Sequence, residues 1–361
     1  KSKAEIDRIG VAEFKRLCKE SVWKYKDEWE KNTRRIGFWL DMDHPYITYE
    51  NNYIESLWWV IKKVFDKGLL TEDYKVLPYC ARCGTGLSSH EIAQGYKTVK
   101  DPSIYVKFEI SNPESYKLKA KSYFLVWTTT PWTLPANVAL AVNPKLIYIR
   151  AMKDKEILIL AKNRLQVLGD GWKVIEELSG KEILGEEYSQ LFDYLKPDKK
   201  AFFTVGADFV SDSDGTGIVH IAPAYGEDDM AAARENDLPV LHPVKENGEF
   251  SAELPWQGVF VKDADKAITE DLELKGSLFK TELYEHEYPF CWRCDTPILY
   301  YARKSWFIKM SLLKERMIVN NQKINWIPAH VKEGRFGGWL KEMKDWAFSR
   351  DRYWGTPLPI W

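Results

Sequence analysis

Apolar positions recur at near-helical spacing over residues 11 to 35, where Val11, Phe14, Leu17, Val22, Tyr25 and Trp29 stand among Lys, Arg and Glu, and the spacing predicts one amphipathic helix. A second helix is predicted by the stripe Tyr53, Leu57, Trp58, Ile61 and Val64, read as core and closed by Lys67-Gly68 with a cation in the last turn. From about residue 98 to 285 the period shortens. Ile104 to Ile110, Ser122 to Thr128, Leu146 to Ala151, Glu156 to Ala161, Ala201 to Val205 and Thr216 to Ile221 are β-branched or aromatic runs between turn residues, and read as strands. Asp228 to Asn236 and Ala264 to Leu274 read as helices among them. The span is expected to be α/β or barrel-like, and at about 180 residues it can own a core. Beyond it, Leu299 to Met310 reads as strand, Lys314 to Asn320 as a short helix and His330 to Trp346 as an amphipathic helix.

Two stretches fit neither period. Trp127-Thr128-Thr129-Thr130-Pro131-Trp132-Thr133-Leu134-Pro135-Ala136-Asn137 crowds hydroxyls and aromatic faces onto a segment stiffened by prolines and β-branched residues. Such a segment can wall a pocket; the plain alternative is an edge strand ended by proline and a surface turn. Gly215-Thr216-Gly217-Ile218-Val219-His220-Ile221-Ala222-Pro223-Ala224-Tyr225-Gly226-Glu227-Asp228-Asp229-Met230 reads as strand, tight loop and helix start, with three acids where free N–H groups are expected. On this reading alone the acids cap the helix and His220 is a core residue. The glycines lack the third member of a dinucleotide fingerprint, and neither a P-loop nor a G-x-S-x-G elbow occurs, which argues against a covalent serine hydrolase.

Tyr79-Cys80-Ala81-Arg82-Cys83-Gly84-Thr85-Gly86-Leu87 has a near twin in Phe290-Cys291-Trp292-Arg293-Cys294-Asp295-Thr296-Pro297-Ile298. Each knuckle supplies two thiolates, half of a tetrahedral zinc site, so Cys80, Cys83, Cys291 and Cys294 are the expected ligands of one structural zinc ion. If one ion binds all four, the chain between the knuckles leaves and rejoins the body at one point. The alternative is two unrelated cysteine pairs. With Cys18 as the fifth cysteine, this usage suits metal binding in a reducing compartment. Acidic and basic side chains nearly cancel, 53 against 52, so any RNA contact must come from local patches. No run approaches the roughly 18 apolar residues of a membrane span. The opening Lys1-Ser2-Lys3 and the apolar ending at Trp361 read as those of an internal fragment of 361 residues.

The threonine stretch, the GTGIVHIAPAYGEDD segment, the two knuckles and the closing SRDRYWGTPLP together resemble the isoleucyl-tRNA synthetase family of class I enzymes, across essentially the entire chain. Valyl and leucyl relatives usually carry Arg-Pro where this chain has Pro131-Trp132-Thr133-Leu134. The resemblance implies a β-rich, barrel-like editing domain with helices, inserted in parts of a Rossmann catalytic domain, with zinc knuckles at the junction. Residues 1–78 would be the N-terminal flank, 79–97 the first knuckle, 98–285 the editing domain, 286–298 the second knuckle and 299–361 the return segment. No HIGH signature occurs, and Lys309-Met310-Ser311-Leu312-Leu313 is not a KMSKS loop, so ATP would serve only the full-length synthetase. The implied activity is hydrolysis of mischarged valyl-tRNA(Ile) after transfer, with hydrolysis before transfer also open, by a cytoplasmic monomer with no membrane partner. A methylene is worth only about 1 to 3 kcal/mol, the isoleucine–valine pair being the standard illustration of that limit, so a second hydrolytic sieve is needed.

Residue by residue, the resemblance makes Asp229 the anion for the substrate ammonium and His220 the size-excluding group. Thr128, Thr129, Thr130 and Thr133 would contact substrate and order water, Trp132 would line the pocket, Asn137 would add a polar contact, and Tyr225 stands where relatives place an aromatic. At a helix start Asp229 is expected to stay ionised readily. Catalysis would come from positioning a water rather than from a protein nucleophile; the water's proton goes to His220 or to the tRNA's ribose hydroxyl. Two other readings stand beside this one: the editing region of a valyl enzyme, which would clear threonine, and a non-catalytic zinc-stapled RNA-binding module using basic residues such as Lys332, Arg335, Lys341, Lys344, Arg350 and Arg352.

Overall fold

The computed structural model describes residues 3–111 and 120–361. They form two compact units, one of Lys1–Tyr74 with Arg303–Trp361 and one of Lys75–Ala302. The first unit starts with helices α1 (Lys3–Ile9), α2 (Val11–Lys24), α3 (Lys26–Arg35) and α4 (Asn51–Asp66). The single helix expected over residues 11 to 35 is two helices, because Tyr25 turns the chain at φ −104°, ψ −3°. Neither buries a residue. The α4 stripe does face inward, yet only Ile61 is fully buried, so that helix packs more lightly than its pattern implied.

The second unit is built mainly of strands. Strand β1 (Leu70–Cys80) leads into it, followed by β2 (Thr85–Gly86), α5 (Ser89–Ile92), β3 (Tyr96–Glu109), β4 (Lys121–Thr128), β5 (Ala139–Val142), β6 (Ile147–Lys153), β7 (Glu156–Ala161), β8 (Lys173–Ser179), β9 (Phe203–Gly206), β10 (Ile218–Ile221), α6 (Glu227–Glu235), α7 (Val261–Leu274) and β11 (Leu278–Pro289). Six of these strands join in the order β11-β3-β4-β7-β6-β8, and three more in the order β10-β5-β9. Among the described residues no sheet closes on itself, so the barrel-like expectation resolves into separate open sheets.

The larger sheet is buried on both faces, and strand periodicity does the sorting. Phe124 and Val126 of β4 and Ile159 of β7 enter one core, while Leu125, Leu158 and Leu160 enter the other. The second core is lidded by the short 3-10 turn Lys162–Leu168, through Val167 and Leu168. Strands with apolar residues on both faces read as continuous runs, which is why β7 was legible as a strand. By contrast β8 is exposed at five successive positions and β11 is polar, so neither left a pattern to find.

The chain leaves through β12 (Leu299–Ile308), α8 (Lys314–Gln322), α9 (Arg335–Lys341) and β13 (Trp346–Ala347). The long helix expected from His330 to Trp346 is reduced to α9, flanked by a 3-10 turn at Ala329–Val331 and by β13. The break lies at Gly334, whose φ −75° and ψ −108° are not helical, so α9 starts only after it.

Candidate functional site

The threonine stretch is not a surface turn. After β4 it winds into a 3-10 turn, Pro131–Ala136, with all six residues buried. Proline at its first position has no N–H to lose, and its fixed φ suits the turn. Thr130 stands just before it, and its amide donates to Thr128 Oγ1 at 3.1 Å. The Thr128 and Thr130 hydroxyls are 3.3 Å apart, and those of Thr130 and Thr133 are 3.4 Å apart. Thr128 and Thr133 are buried, and Thr129 and Thr130 half-buried.

The glycine-rich segment meets this turn along the smaller sheet. Strand β10 runs antiparallel to β5 with His220 opposite Leu140, and β5 directly follows the turn. His220 Nε2 thereby lies 3.0 Å from Thr133 Oγ1. Because that hydroxyl donates to the Thr130 carbonyl at 2.9 Å, it is left to accept from the imidazole, which puts the proton on Nε2. Nδ1 is then a buried acceptor with no partner among the described residues. Burial pushes the imidazole down to about 4, so His220 is neutral near pH 7. Alongside, the Trp132 and Tyr225 rings meet edge to face at 4.9 Å, and the Tyr225 hydroxyl accepts from the Val244 amide at 3.2 Å. Both rings are buried.

The three acids at the start of α6 have different surroundings. Glu227 and Asp228 are exposed at the start of α6, and Glu227 is 4.0 Å from the Lys75 ammonium. Asp229 is half-buried and reaches back to accept the Ala222 amide at 2.8 Å. Gly226 makes this possible, since a Cβ there would stand 2.6 Å from the Asp229 carboxyl carbon. Ready ionisation is not what results. Burial outweighs the Ala222 N–H and raises the carboxyl from 3.8 to about 7, with Asp228 adding to the rise.

That shift has a sign for stability. A group whose folded pKa lies above its unfolded value stabilises the fold fully below the unfolded value, and the contribution is lost as pH rises through the folded one. Asp229 therefore costs stability progressively between pH 3.8 and about 7. Asp229→Asn should be more stable than the wild type at pH 8, by up to about 4 kcal/mol, with the difference fading toward pH 4. Thermal melts across that range check this, and a difference independent of pH would remove the buried-carboxyl explanation.

Asn137 is held at both ends by the protein: its amide donates to the Ala139 carbonyl at 2.8 Å and accepts from the Tyr188 hydroxyl at 2.7 Å. The structure thus makes it a brace for the exit of the turn instead of a free polar contact. Two residues of this neighbourhood escaped the sequence reading. Tyr188 is one; the other is Asp265 of α7, whose Oδ1 accepts the Trp132 amide at 2.9 Å. The signal for Asp265 was there, since an acid stands on the apolar stripe Val261, Ala264, Ile268 and Leu272.

At the knuckles the four sulfurs of Cys80, Cys83, Cys291 and Cys294 lie within 4.8 Å of one another, and all four cysteines are free of disulfides. The twins share their backbone: Gly84 N–H donates to the Cys80 carbonyl and Asp295 N–H to that of Cys291, each at 2.8 Å. Gly84 and Asp295, at matching positions, both take positive φ, 65° and 60°. Four sulfurs at about 2.3 Å from a central ion would stand about 3.8 Å apart, and the observed separations of 3.4 and 3.5 Å are close to that. Burial raises the Cys80 thiol far above its usual range and Cys83 to about 11. Cys294 is also penalised by burial, but Thr296 brings it down to about 7. Four soft donors crowded in this way fit a metal ion.

A cavity of about 560 Å³ is lined by Lys121, Tyr123, Lys153, Asp154, Lys155, Glu156, Leu168, Trp172 and Phe279, none of them a residue of the threonine turn or of the His220–Asp229 segment. No helix among the described residues is long and apolar enough to cross a membrane.

The chain belongs to the class I tRNA synthetases (I, L, M and V), a family that matches residues 1–361. Within it, the chain is 51% identical over 360 residues to an isoleucine–tRNA ligase of Clostridium acetobutylicum, covering 99% of this chain and 34% of the relative. It is 51% identical to that of Thermus thermophilus over 362 residues, covering 100% of this chain and again 34% of the relative, and 48% identical to that of Picrophilus torridus over 361 residues, covering 100% and 35%. The chain thus spans about a third of the length of these relatives. Among solved structures, the P. knowlesi cytosolic leucyl-tRNA synthetase editing domain is similar over 54% of this chain and 99% of its own, at 11% identity and a TM-score of 0.42.

Proposed function

We propose that this chain is the editing region of an isoleucine–tRNA ligase and hydrolyses mischarged valyl-tRNA(Ile). The observation that carries the reading is the 3.0 Å contact between Thr133 Oγ1 and His220 Nε2, which joins the two motif stretches into one site. The isoleucine–tRNA ligases that match along nearly all of this chain support the isoleucine assignment. On this reading residues 98–285 are the editing insertion, 79–97 and 286–298 the knuckles, and 1–78 and 299–361 parts of a Rossmann catalytic domain. ATP would be used only by the full-length synthetase.

The chemistry follows from the groups present. Asp229, near half-protonated at pH 7 when no cation faces it, ionises when the substrate's α-ammonium arrives, because an opposite charge at close range favours the carboxylate. His220 limits the length of the side chain beside it. The hydroxyls of Thr128, Thr129, Thr130 and Thr133 orient a water and the ester carbonyl. Water adds to that carbonyl, the bond to the ribose oxygen breaks, and valine and free tRNA leave. At a pKa of about 4 His220 is a weak base near neutrality, which favours the tRNA's ribose hydroxyl as the relay for the water's proton. Trp132 and Tyr225 supply the apolar wall.

Deacylation of valyl-, threonyl- and isoleucyl-tRNA by the chain tests the reading. Rapid loss of the valyl ester alone is expected; preference for the threonyl ester would move the assignment to a valyl enzyme, and no hydrolysis with intact RNA binding would favour the zinc-stapled binding module. The cysteine site is proposed to hold zinc in a purely structural role, clamping the two ends of the insertion. Protein purified without chelator should carry about one zinc per chain; metal-free protein of the same melting temperature would sink the clamp.

A further inference from the structure

Thr130 occupies the position before the 3-10 turn, where a threonine ordinarily spends its hydroxyl on the free N–H groups of the first turn. Here it does not: no side-chain cap bond is present. The first N–H is missing because residue 131 is proline, and the Thr133 amide is taken by the Thr130 carbonyl at 3.0 Å. Only the Trp132 amide remains. It is satisfied from another element, by Asp265 Oδ1 at 2.9 Å, across a sequence separation of 133 residues. Asp265 is 6% exposed, and Thr269 Oγ1 donates to its carbonyl at 2.7 Å, within α7.

We propose that Asp265 is a positioning residue that caps the threonine turn from outside and thereby keeps the Thr130 hydroxyl off the backbone N–H groups, within the threonine cluster that meets the substrate. The proposal rests on the editing function above and adds to it a residue that neither motif stretch contains. Without the carboxylate, the Trp132 N–H would be buried and unpaired, at a cost that draws in the nearest acceptor. Thr130 Oγ1 is the acceptor placed for that role, and once bound there it is lost to the water and ester. Around Asp265 stand Lys262 and Asp263 on its own helix and Asp101 on β3, with Lys262 paired to Asp101 at 2.7 Å and His286 of β11 at 3.3 Å from the same carboxylate oxygen of Asp101. Burial, countered by Lys262, raises Asp265 to about 7. Protonated or not, it keeps an oxygen for the Trp132 amide, so the cap survives across neutral pH.

The test compares Asp265→Ala and Asp265→Asn in the 361-residue chain. Asp265→Ala should lower kcat for valyl-tRNA hydrolysis by about tenfold or more, as expected for loss of a buried hydrogen bond, with KM changed far less; Asp265→Asn, which keeps an acceptor, should stay within about threefold. In a Thr130→Val background Asp265→Ala should cost little further, because its effect runs through the hydroxyl already removed. Amide exchange at Trp132 should accelerate in the alanine variant and not in the asparagine one, a readout that needs no activity. Equal rates in wild type and Asp265→Ala, or additive losses with Thr130→Val, would overturn the proposal while leaving the editing reading intact. A wild type that hydrolyses nothing would remove both, and unchanged Trp132 exchange would overturn the cap on its own.

Discussion

Asp229→Ala should reduce valyl-tRNA hydrolysis by about 10²-fold or more, the usual loss when one partner of a desolvated charge pair is removed, while Glu227→Ala should stay within about threefold of wild type. The two carboxylates are two residues apart on α6, so net charge and helix N-terminal position are nearly matched. Their surroundings are not. Asp229 is half-buried against the Ala222 amide beside the His220 strand, whereas Glu227 is exposed and faces Lys75. Steady-state deacylation of both variants checks this, and equal losses would reduce Asp229 to one more acid stabilising a helix end. The pH profile adds a second signature. Wild-type KM should rise as pH falls below about 7, since an ammonium must then compete with the proton on Asp229.

His220→Ala should convert a site that refuses isoleucyl-tRNA into one that hydrolyses it, with a gain of about 10- to 100-fold, the range that one methylene commands in an apolar pocket. The imidazole is buried and fixed by Thr133, so it cannot swing aside for a longer side chain. Being neutral, it acts through its volume and its hydrogen bond instead of its charge. Valyl-tRNA hydrolysis should fall only several-fold, by the loosening of Thr133. Undiminished rejection of isoleucyl-tRNA would place the size limit elsewhere.

The site's parts were legible in the sequence where chemistry was concentrated locally. Four threonines within six residues, a histidine ending an apolar strand and a repeated C-x-x-C pattern each survive without knowledge of the fold. What was not legible came from long-range packing. The ionisation of Asp229 turned on whether burial or the helix end dominated, and burial is a property of what surrounds α6. Asn137 looked like a polar group offered to a ligand because Tyr188, which occupies its carbonyl, lies 51 residues away. Asp265 belonged to a stretch, Ala264 to Leu274, that read only as a helix, and the Trp132 amide it meets lies 133 residues away. At the scale of elements the same holds: β7 was readable because both its faces are apolar, and the α2–α3 break and the shortened α9 were not, because each depends on backbone geometry at Tyr25 or at Gly334.

The position of Asp229 also shows how the fold and the proposed reaction pull in opposite directions. A buried carboxyl held near neutrality lowers folding stability at the pH where it is needed, a burden that function can justify and packing cannot. The same substitution that stabilises the fold, Asp229→Asn, should therefore weaken substrate binding.

The most direct measurement is a crystal structure of the chain with a non-hydrolysable valyl-adenosine analogue. The α-ammonium is expected within about 3 Å of the Asp229 carboxylate, with the isopropyl group against His220 and the ester-equivalent group among Thr128, Thr129 and Thr130. Density for the analogue in the cavity between Lys121 and Phe279, with the threonine turn untouched, would contradict it.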